Sequence, residues 1–299
     1  MDFSLTEEQQ ELKAQAREVL ARGAPTWEGL AELGWLGVSV PEELGGAGLT
    51  FVEEALIHEE LGYALYDGPF LATVALALPA LEPAEQHEVA TGAQRWSAEV
   101  GGLVPEWGRI DAVLTENGAI ARPEGEPLES IDPTRPLGRL ATASNNLLLS
   151  TRGQAALAAE AVGVAQWALD AAVDYAKTRE QFGKPIGTYQ AVSHPLANTY
   201  AETELARSLA YWSAWCVAED DPQAPLAAAA AKAYASEAAV RACERAIQVH
   251  GGIGFTWEHP LHRYYKRALW IEAFGGRPHE LRREIAERLV GVEEAAWTV

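Results

Sequence analysis

The stretch YAKTREQFGKPIGTYQ, Tyr175–Gln190, joins two long helical patterns and decides how the chain is interpreted. It places the guanidinium of Arg179, the aromatic ring of Phe182 and the bare backbone of Gly183 close together in sequence. A guanidinium is a planar, permanent cation that matches a phosphate, and glycine lets a ligand approach the backbone. Taken alone, Arg179 would be a surface arginine and Phe182 a core residue, so the surrounding sequence has to decide.

A second marked stretch, QVHGGIGF, runs from Gln248 to Phe255. Gly251 and Gly252 end a helical pattern as C-cap residues would, and they also leave room for a ligand beside the backbone. The segment EHPLHRYYKR, residues 258–267, follows it. Near the N-terminus, LGWLGVSVPEELGG spans residues 33–46.

Hydrophobic periodicity divides the chain into three units. Residues 1–92 have helical spacing, including a Thr6–Gln9 capping box and helices over about 51–63 and 70–81. Residues 93–148 carry short β-type runs, and Asn117-Gly118 predicts a hairpin with a primed turn. Residues 149–299 return to long helices, which favours a four-helix bundle. The sequence therefore predicts a mainly α fold with a small β unit in the middle.

Together these segments resemble the acyl-CoA dehydrogenase family in identity, spacing and order. The resemblance implies a flavoenzyme that oxidises an acyl-CoA thioester with FAD. In that family the matching residues reach across a dimer interface to the FAD of the neighbouring chain. The cofactor-binding residues carried over in this way are Arg179, Gln181, Phe182, Gln190, Gln248, Gly251 and Gly252. The glutamines can donate to and accept from phosphate, ribose or adenine edges.

The same comparison predicts that no catalytic base is present. The family's carboxylate position after the arginine-rich helix falls on Gly275, and its alternative position on the first bundle helix falls on Gly153. Glycine cannot accept a proton, whereas a general base must lie within hydrogen-bond reach of the proton that it removes. Glu160 and Glu272 are the nearest carboxylates that could serve as a displaced base.

The β unit is also shorter than the family's middle domain and lacks the motifs that cradle the flavin ring. The chain therefore resembles one subunit of a heteromeric enzyme, most simply a heterotetramer. A longer homologue would supply the base, the flavin-ring site and the acyl-CoA pocket. Two alternatives stay open: a cofactor-free binding or assembly protein on the same fold, and an autonomous flavoenzyme with a relocated base.

Composition limits the other classes. The net charge of −20 disfavours nucleic acid as a partner. Cys216 and Cys243 are expected to be buried thiols, and His194, His259 and His262 show no metal-ligand spacing. The polar N-terminus predicts no secretory signal, and the apolar run Pro69–Leu81 is too short to span a bilayer. We therefore expect a cytoplasmic protein without membrane insertion.

Overall fold

The computed structural model describes residues 5–142 and 147–290 and confirms the mainly helical fold. Helices come first, short strands lie between residues 96 and 140, and long helices complete the chain. The domain boundaries at 92/93 and 148/149 stay predictions. The parts of the predicted units that fall on residues 1–4, 143–146 and 291–299 lie outside the described residues.

The N-terminal unit begins with the predicted cap. The Thr6 hydroxyl accepts the Gln9 N–H at 3.2 Å, and the Gln9 side chain accepts the Thr6 N–H at 3.0 Å. The predicted α-helix over 70–81 is wrong in type, because the structure has a π-helix, Leu71–Ala77, and then a 3-10 turn, Leu78–Ala80. Pro79 lacks an N–H and cannot continue an α-helical ladder. The α-helices are α1 Glu7–Arg22, α2 Trp27–Glu32, α3 Phe51–Tyr63 and α4 Pro83–Ala90.

The β unit consists of two small sheets with strand orders β1-β3-β4 and β2-β6-β5. The predicted hairpin is confirmed, since β3 and β4 pair antiparallel with Thr115 opposite Gly118. The primed turn is wrong: the loop residues are Glu116 and Asn117, and neither has the positive φ that a type I′ turn requires. The strands are β1 Trp96–Ala98, β2 Val104–Pro105, β3 Ala112–Thr115, β4 Gly118–Ala121, β5 Gly125–Leu128 and β6 Leu137–Leu140.

The C-terminal unit is built around a long, apolar central helix, α5, with small side chains at its contacts. The thiols of Cys216 and Cys243 are free and buried, as expected. The helices are α5 Thr151–Thr178, α6 Gln190–Ala218, α7 Ala224–His250, α8 Leu261–Ala273 and α9 Pro278–Val290.

The apolar run at residues 69–81 is the only segment judged from the sequence, yet α5 has the length and composition of a membrane span. It is the one helix in the described part of the chain that meets both criteria. In its most apolar window, however, 72% of the residues are buried inside the protein. Its apolar character is therefore accounted for by packing against the other helices of the bundle.

The N-terminal unit docks onto the bundle through backbone contact between α3 and α5. A Cβ added at Gly163 would lie 1.9 Å from the Glu59 carbonyl oxygen, and one added at Gly62 would lie 2.2 Å from the Glu160 carbonyl oxygen. Glycine is therefore required at both points of the crossing. This close approach fixes where α5, and with it Arg179 beyond its end, stands relative to the N-terminal unit.

Candidate functional site

The two segments singled out in the sequence meet at one end of the bundle. The Tyr175 ring, one turn before the end of α5, stacks on the His250 ring, the last residue of α7, with centroids 4.4 Å apart. The Arg179 N–H donates to the Tyr175 carbonyl at 2.8 Å, and Gly251 follows His250 directly. The same end of the bundle therefore carries Arg179 and the paired glycines.

The helical pattern predicted to reach residue 181 ends earlier, at Thr178. A short hairpin follows, in which β7 (Glu180–Gln181) pairs with β8 (Lys184–Pro185). Phe182 and Gly183 form its two-residue loop, with φ values of 54° and 80°. Both values have the sign that a type I′ turn needs. A left-handed conformation costs a residue such as phenylalanine about 1–2 kcal/mol, and strain of this kind is concentrated at functional sites.

The hairpin displays its aromatic ring to the outside. The Phe182 side chain is 93% exposed, and its closest ring neighbour is Tyr189, edge-on at 6.4 Å. The Tyr189 hydroxyl donates to the Gln181 carbonyl at 3.1 Å, and the Lys184 ammonium lies over the Tyr189 ring at 4.4 Å. Tyr189 thus stabilises the hairpin through these contacts and leaves the Phe182 ring exposed to solvent.

The Arg179 side chain is exposed and makes no ion pair or side-chain hydrogen bond within the described residues. Arg207, by contrast, pairs with Glu59 at 3.0 Å, and Arg241 pairs with Glu202 at 2.9 Å. The guanidinium of Arg179 therefore has its full set of donors available to a ligand.

The remaining predicted cofactor residues are exposed or partly exposed at the same end. Gln190 is the first residue of α6, and Gln248 lies in the last turn of α7. A Cβ added at Gly251 or Gly252 would meet no protein atom within 4 Å. Gly251 needs to be glycine because its φ is 61°, but nothing within the described chain requires glycine at Gly252. A ligand that approaches the backbone would supply such a requirement.

The two vacant base positions share one neighbouring side chain. A Cβ added at Gly275 would lie 2.5 Å from Leu149 Cδ2, and a Cβ added at Gly153 would lie 2.7 Å from Leu149 Cδ1. Leu149 is buried. The structure thus brings together two positions that are far apart in sequence, and it fills the space between them with hydrocarbon. The residues around this point do not fit a carboxylate base.

Glu160 is held as an anion in a buried ionic cluster. It accepts from Arg135 at 2.7 Å and from Arg267 at 2.6 Å. Burial would raise the pKa of Glu160, but the charges of the two arginines outweigh it and lower the pKa to about 2. A carboxylate this acidic, with 1% exposure, is a poor proton acceptor. Glu160 is therefore a structural anion, and its suggested role as a displaced base is wrong.

Glu272 lies near Lys232, a residue that the sequence analysis did not single out. Lys232 is fully buried on α7 and donates to the Gly276 carbonyl at 2.6 Å, which pins the turn next to Gly275. Burial lowers the pKa of Lys232 to about 8, and the negative charges of Glu272 and Glu280 oppose that shift. Glu272 is thus near a buried cation. A lone lysine within an alanine-rich helix was the signal in the sequence.

Two histidine rings lie close together near the paired glycines. His250 and His259 lie 4.4 Å apart, ring centroid to ring centroid. Among residues 5–142 and 147–290 there is no group of three or more side chains arranged to hold a metal ion.

Comparison with known proteins decides the family. Residues 6–88 match the acyl-CoA dehydrogenase N-terminal domain, and residues 145–290 match the acyl-CoA dehydrogenase C-terminal domain. The acyl-CoA dehydrogenase IpdE2 of Mycobacterium tuberculosis is 36% identical over 87% of this chain and 85% of its own length. The chain belongs to the acyl-CoA dehydrogenase family. This family consists of FAD-dependent oxidoreductases that act on CH–CH bonds.

Two further relatives are informative about size and assembly. The acyl-CoA dehydrogenase FadE34 of M. tuberculosis is 37% identical over 90% of this chain, but this chain spans only 42% of FadE34. A chain of the ChsE4-ChsE5 complex from M. tuberculosis superposes with a TM-score of 0.84 at 26% identity. That match covers 98% of this chain and 100% of the other.

Proposed function

We propose that this chain is a subunit of an FAD-dependent acyl-CoA dehydrogenase and that it contributes the nucleotide end of the flavin site. A longer homologous chain supplies the catalytic base, the flavin-ring site and the acyl-CoA pocket. FAD, when bound, would supply the hydride acceptor for oxidation of the acyl thioester. The residues of this chain bind and orient the cofactor and take no proton from the substrate.

The observation that carries the proposal is the Leu149 side chain between Gly153 and Gly275. A carboxylate at either glycine would have to displace a buried leucine, which supports removal of the proton by another chain. At the other end of the bundle the residues suit a ligand. Three features lie at the same helix ends: the guanidinium of Arg179, which has no partner among residues 5–142 and 147–290, the strained and exposed Phe182, and the open backbone at Gly252.

Local charge supports an anionic ligand at this end. The chain carries a net charge of −20, yet Lys177, Arg179 and Lys184 lie within a few residues of one another. A pyrophosphate gains most from a cation that has no internal partner, because no ion pair has to be broken on binding. Gln181, Gln190, Gln248 and Gly251 complete the set of proposed contacts.

Similarity to a chain of the two-component ChsE4-ChsE5 complex supports a heteromeric assembly. We propose a heterotetramer of two such chains and two longer homologues. Acyl-CoA binds through the partner, and neither nucleic acid nor insertion into a membrane takes part. We place the assembly in the cytoplasm.

Co-purification tests the proposal. The chain is expressed alone, and in parallel with a longer acyl-CoA dehydrogenase homologue encoded beside it. Flavin absorbance and acyl-CoA-dependent dye reduction are measured on both products. We expect a colourless, inactive protein from the first and a yellow, active complex from the second, with activity that depends on the partner's glutamate. Stoichiometric flavin and turnover in the chain alone would instead indicate an autonomous enzyme, and no flavin in either sample would indicate a binding or assembly protein.

A further inference from the structure

The connection between α7 and α8, residues 251–260, carries the two open glycines and ends beside a hydrogen bond between an imidazole and the first N–H of α8. α8 begins at Leu261, whose N–H is donated to His259 Nδ1 at 3.2 Å. A backbone N–H can only donate, so Nδ1 must be the unprotonated nitrogen of this imidazole. The neutral ring thus accepts the first backbone N–H of α8, while the N-cap position itself is Pro260, which makes no side-chain cap hydrogen bond.

The same connection is held at both of its ends by aromatic and imidazole rings. At its start, His250 stacks on Tyr175 and donates from Nδ1 to the Ala246 carbonyl at 2.8 Å. At its far end, the His262 ring meets Trp257 edge-on at 4.6 Å, and the buried Nδ1 of His262 has no hydrogen-bond partner within the described residues. His259 packs against His250 between these two points.

We propose that neutral His259 is a positioning residue that holds the Gly251–Pro260 connection in place, and that its protonation releases the connection. The consequence for the cofactor rests on the proposed function, in which Gly251 and Gly252 face FAD. Protonated Nδ1 cannot accept the Leu261 N–H, and a positive charge at the first turn of α8 opposes the helix dipole. The connection at residues 251–260 is thus ordered at neutral pH and loosened by acid.

The ionisable groups on the elements near His259 are of both signs, and the two whose charges lower its pKa are His250 and His262. On α8 these are Arg263, Lys266 and the neighbouring His262; on α7 they are His250 and Glu244, which accepts from the Tyr265 hydroxyl at 3.2 Å. On α5 the exposed charged groups are Lys177 and Asp174, which form an ion pair. On the connection itself the exposed charged group is Glu258.

Burial lowers the pKa of His259, and the charges of His250 and His262 lower it further. Burial also lowers the pKa of His262, together with Lys266 and Arg263. When the folded pKa lies below the unfolded one, the unfolded chain binds more protons between the two values. The stabilisation is therefore complete above the ordinary pKa of 6.5 and is lost as the pH falls through the folded pKa.

Hydrogen–deuterium exchange of the full chain tests this without cofactor or activity. Protection of peptides covering residues 251–266 is measured at about pH 7.5 and about pH 5.5, after correction for the intrinsic exchange rate. We expect a three- to tenfold loss of protection on acidification, the size that follows from losing one hydrogen bond. His259→Asn keeps an acceptor that does not titrate and should abolish the loss. His194→Asn, at an exposed histidine of α6, should leave the loss in place.

Each outcome bears on the proposal. Wild-type protection that does not change with pH overturns it, and so does an equal loss in wild type and His259→Asn. Flavin retention of the co-expressed complex over the same pH range is measured separately. If the exchange result holds but acid does not release flavin, the positioning of the connection stands, and the assignment of Gly251 and Gly252 to the cofactor fails.

Discussion

The His250 ring stacks on the Tyr175 ring at an interplanar angle of 25°, and this contact joins the ends of α5 and α7. Arg179 lies one helical turn beyond Tyr175, and Gly251 is the residue after His250. The stacking therefore aligns two segments that neither helix could orient alone. It makes one composite surface out of them, with a cation on one side and an open backbone on the other.

Replacing Arg179 with alanine should weaken flavin retention in the co-expressed complex. Charge-assisted hydrogen bonds are worth about 1.5–3 kcal/mol each, so we expect flavin to dissociate roughly tenfold to a hundredfold more readily. The measurement is flavin absorbance per complex after dilution and filtration. Arg22→Ala, at an exposed arginine at the end of α1, is the control and should retain flavin. Equal retention by both variants would contradict the proposed role of Arg179.

Replacing Phe182 with asparagine should stabilise the isolated chain and weaken the complex. Asparagine tolerates the left-handed conformation, and Asn-Gly is the preferred type I′ pair, so the free energy of unfolding should rise by about 0.5–1 kcal/mol. Urea unfolding measures this gain. In the complex, loss of the exposed ring should lower flavin retention. A less stable chain would mean that the contact between Phe182 and Tyr189 outweighs the backbone strain.

Restoring a glutamate at Gly275 should not create an enzyme. The φ of 69° opposes any side chain, and the added Cβ would overlap Leu149, at a cost of about 1–3 kcal/mol. We expect a lower melting temperature and no acyl-CoA-dependent dye reduction. Gly275→Glu combined with Leu149→Ala removes the overlap but keeps the positive φ and truncates a buried leucine, so it should not recover stability. It should also be inactive, because the flavin-ring site is missing. Turnover by either variant alone would refute the two-chain division of labour.

Neutralising Glu160 should destabilise the fold. Its pKa falls from 4.5 to about 2, which corresponds to about 3 kcal/mol of stabilisation. Because the folded pKa is depressed, this contribution is complete above pH 4.5 and is lost as the pH falls towards 2. Glu160→Gln should therefore lower the free energy of unfolding by about 3 kcal/mol at neutral pH and flatten its decline in acid. Urea unfolding against pH measures both, and an unchanged acid limb would contradict this account.

A control variant distinguishes the buried ionic cluster around Glu160 from an ordinary surface ion pair. Glu18→Gln removes the exposed ion pair with Arg22 on α1, whose side chains are 65% and 75% exposed. Solvent screens such a pair, so its loss should change stability by well under 1 kcal/mol. A similar small effect for Glu160→Gln would show that Arg135 and Arg267 do not depend on this carboxylate.

Sequence alone predicted the features that depend on neighbours along the chain. Apolar spacing located α3 at its observed bounds, because helical periodicity is local. The Thr6–Gln9 capping box was predicted for the same reason. The hairpin of β3 and β4 was found, but its turn type was not, since that depends on φ values that register imposes.

The candidate site divides in the same way. The order of residues identified Arg179, Phe182 and the paired glycines as a group, and it identified the absence of a carboxylate at Gly153 and Gly275. The strain at Phe182 could not be predicted, because it follows from the pairing of β7 with β8. Lys232 was missed because nothing local shows which face of an alanine-rich helix is covered.

Residue identities by themselves determined the family and the helical fold, and they predict that this chain lacks a base. Only the tertiary structure decided what occupies the vacant position and what Glu160 does there. Leu149 reaches both glycines through packing of segments distant in sequence, and Glu160 is acidic because burial brings Arg135 and Arg267 to it. Spacing along a chain carries information about helix faces, but a pKa or a steric overlap depends on atoms that only folding brings together.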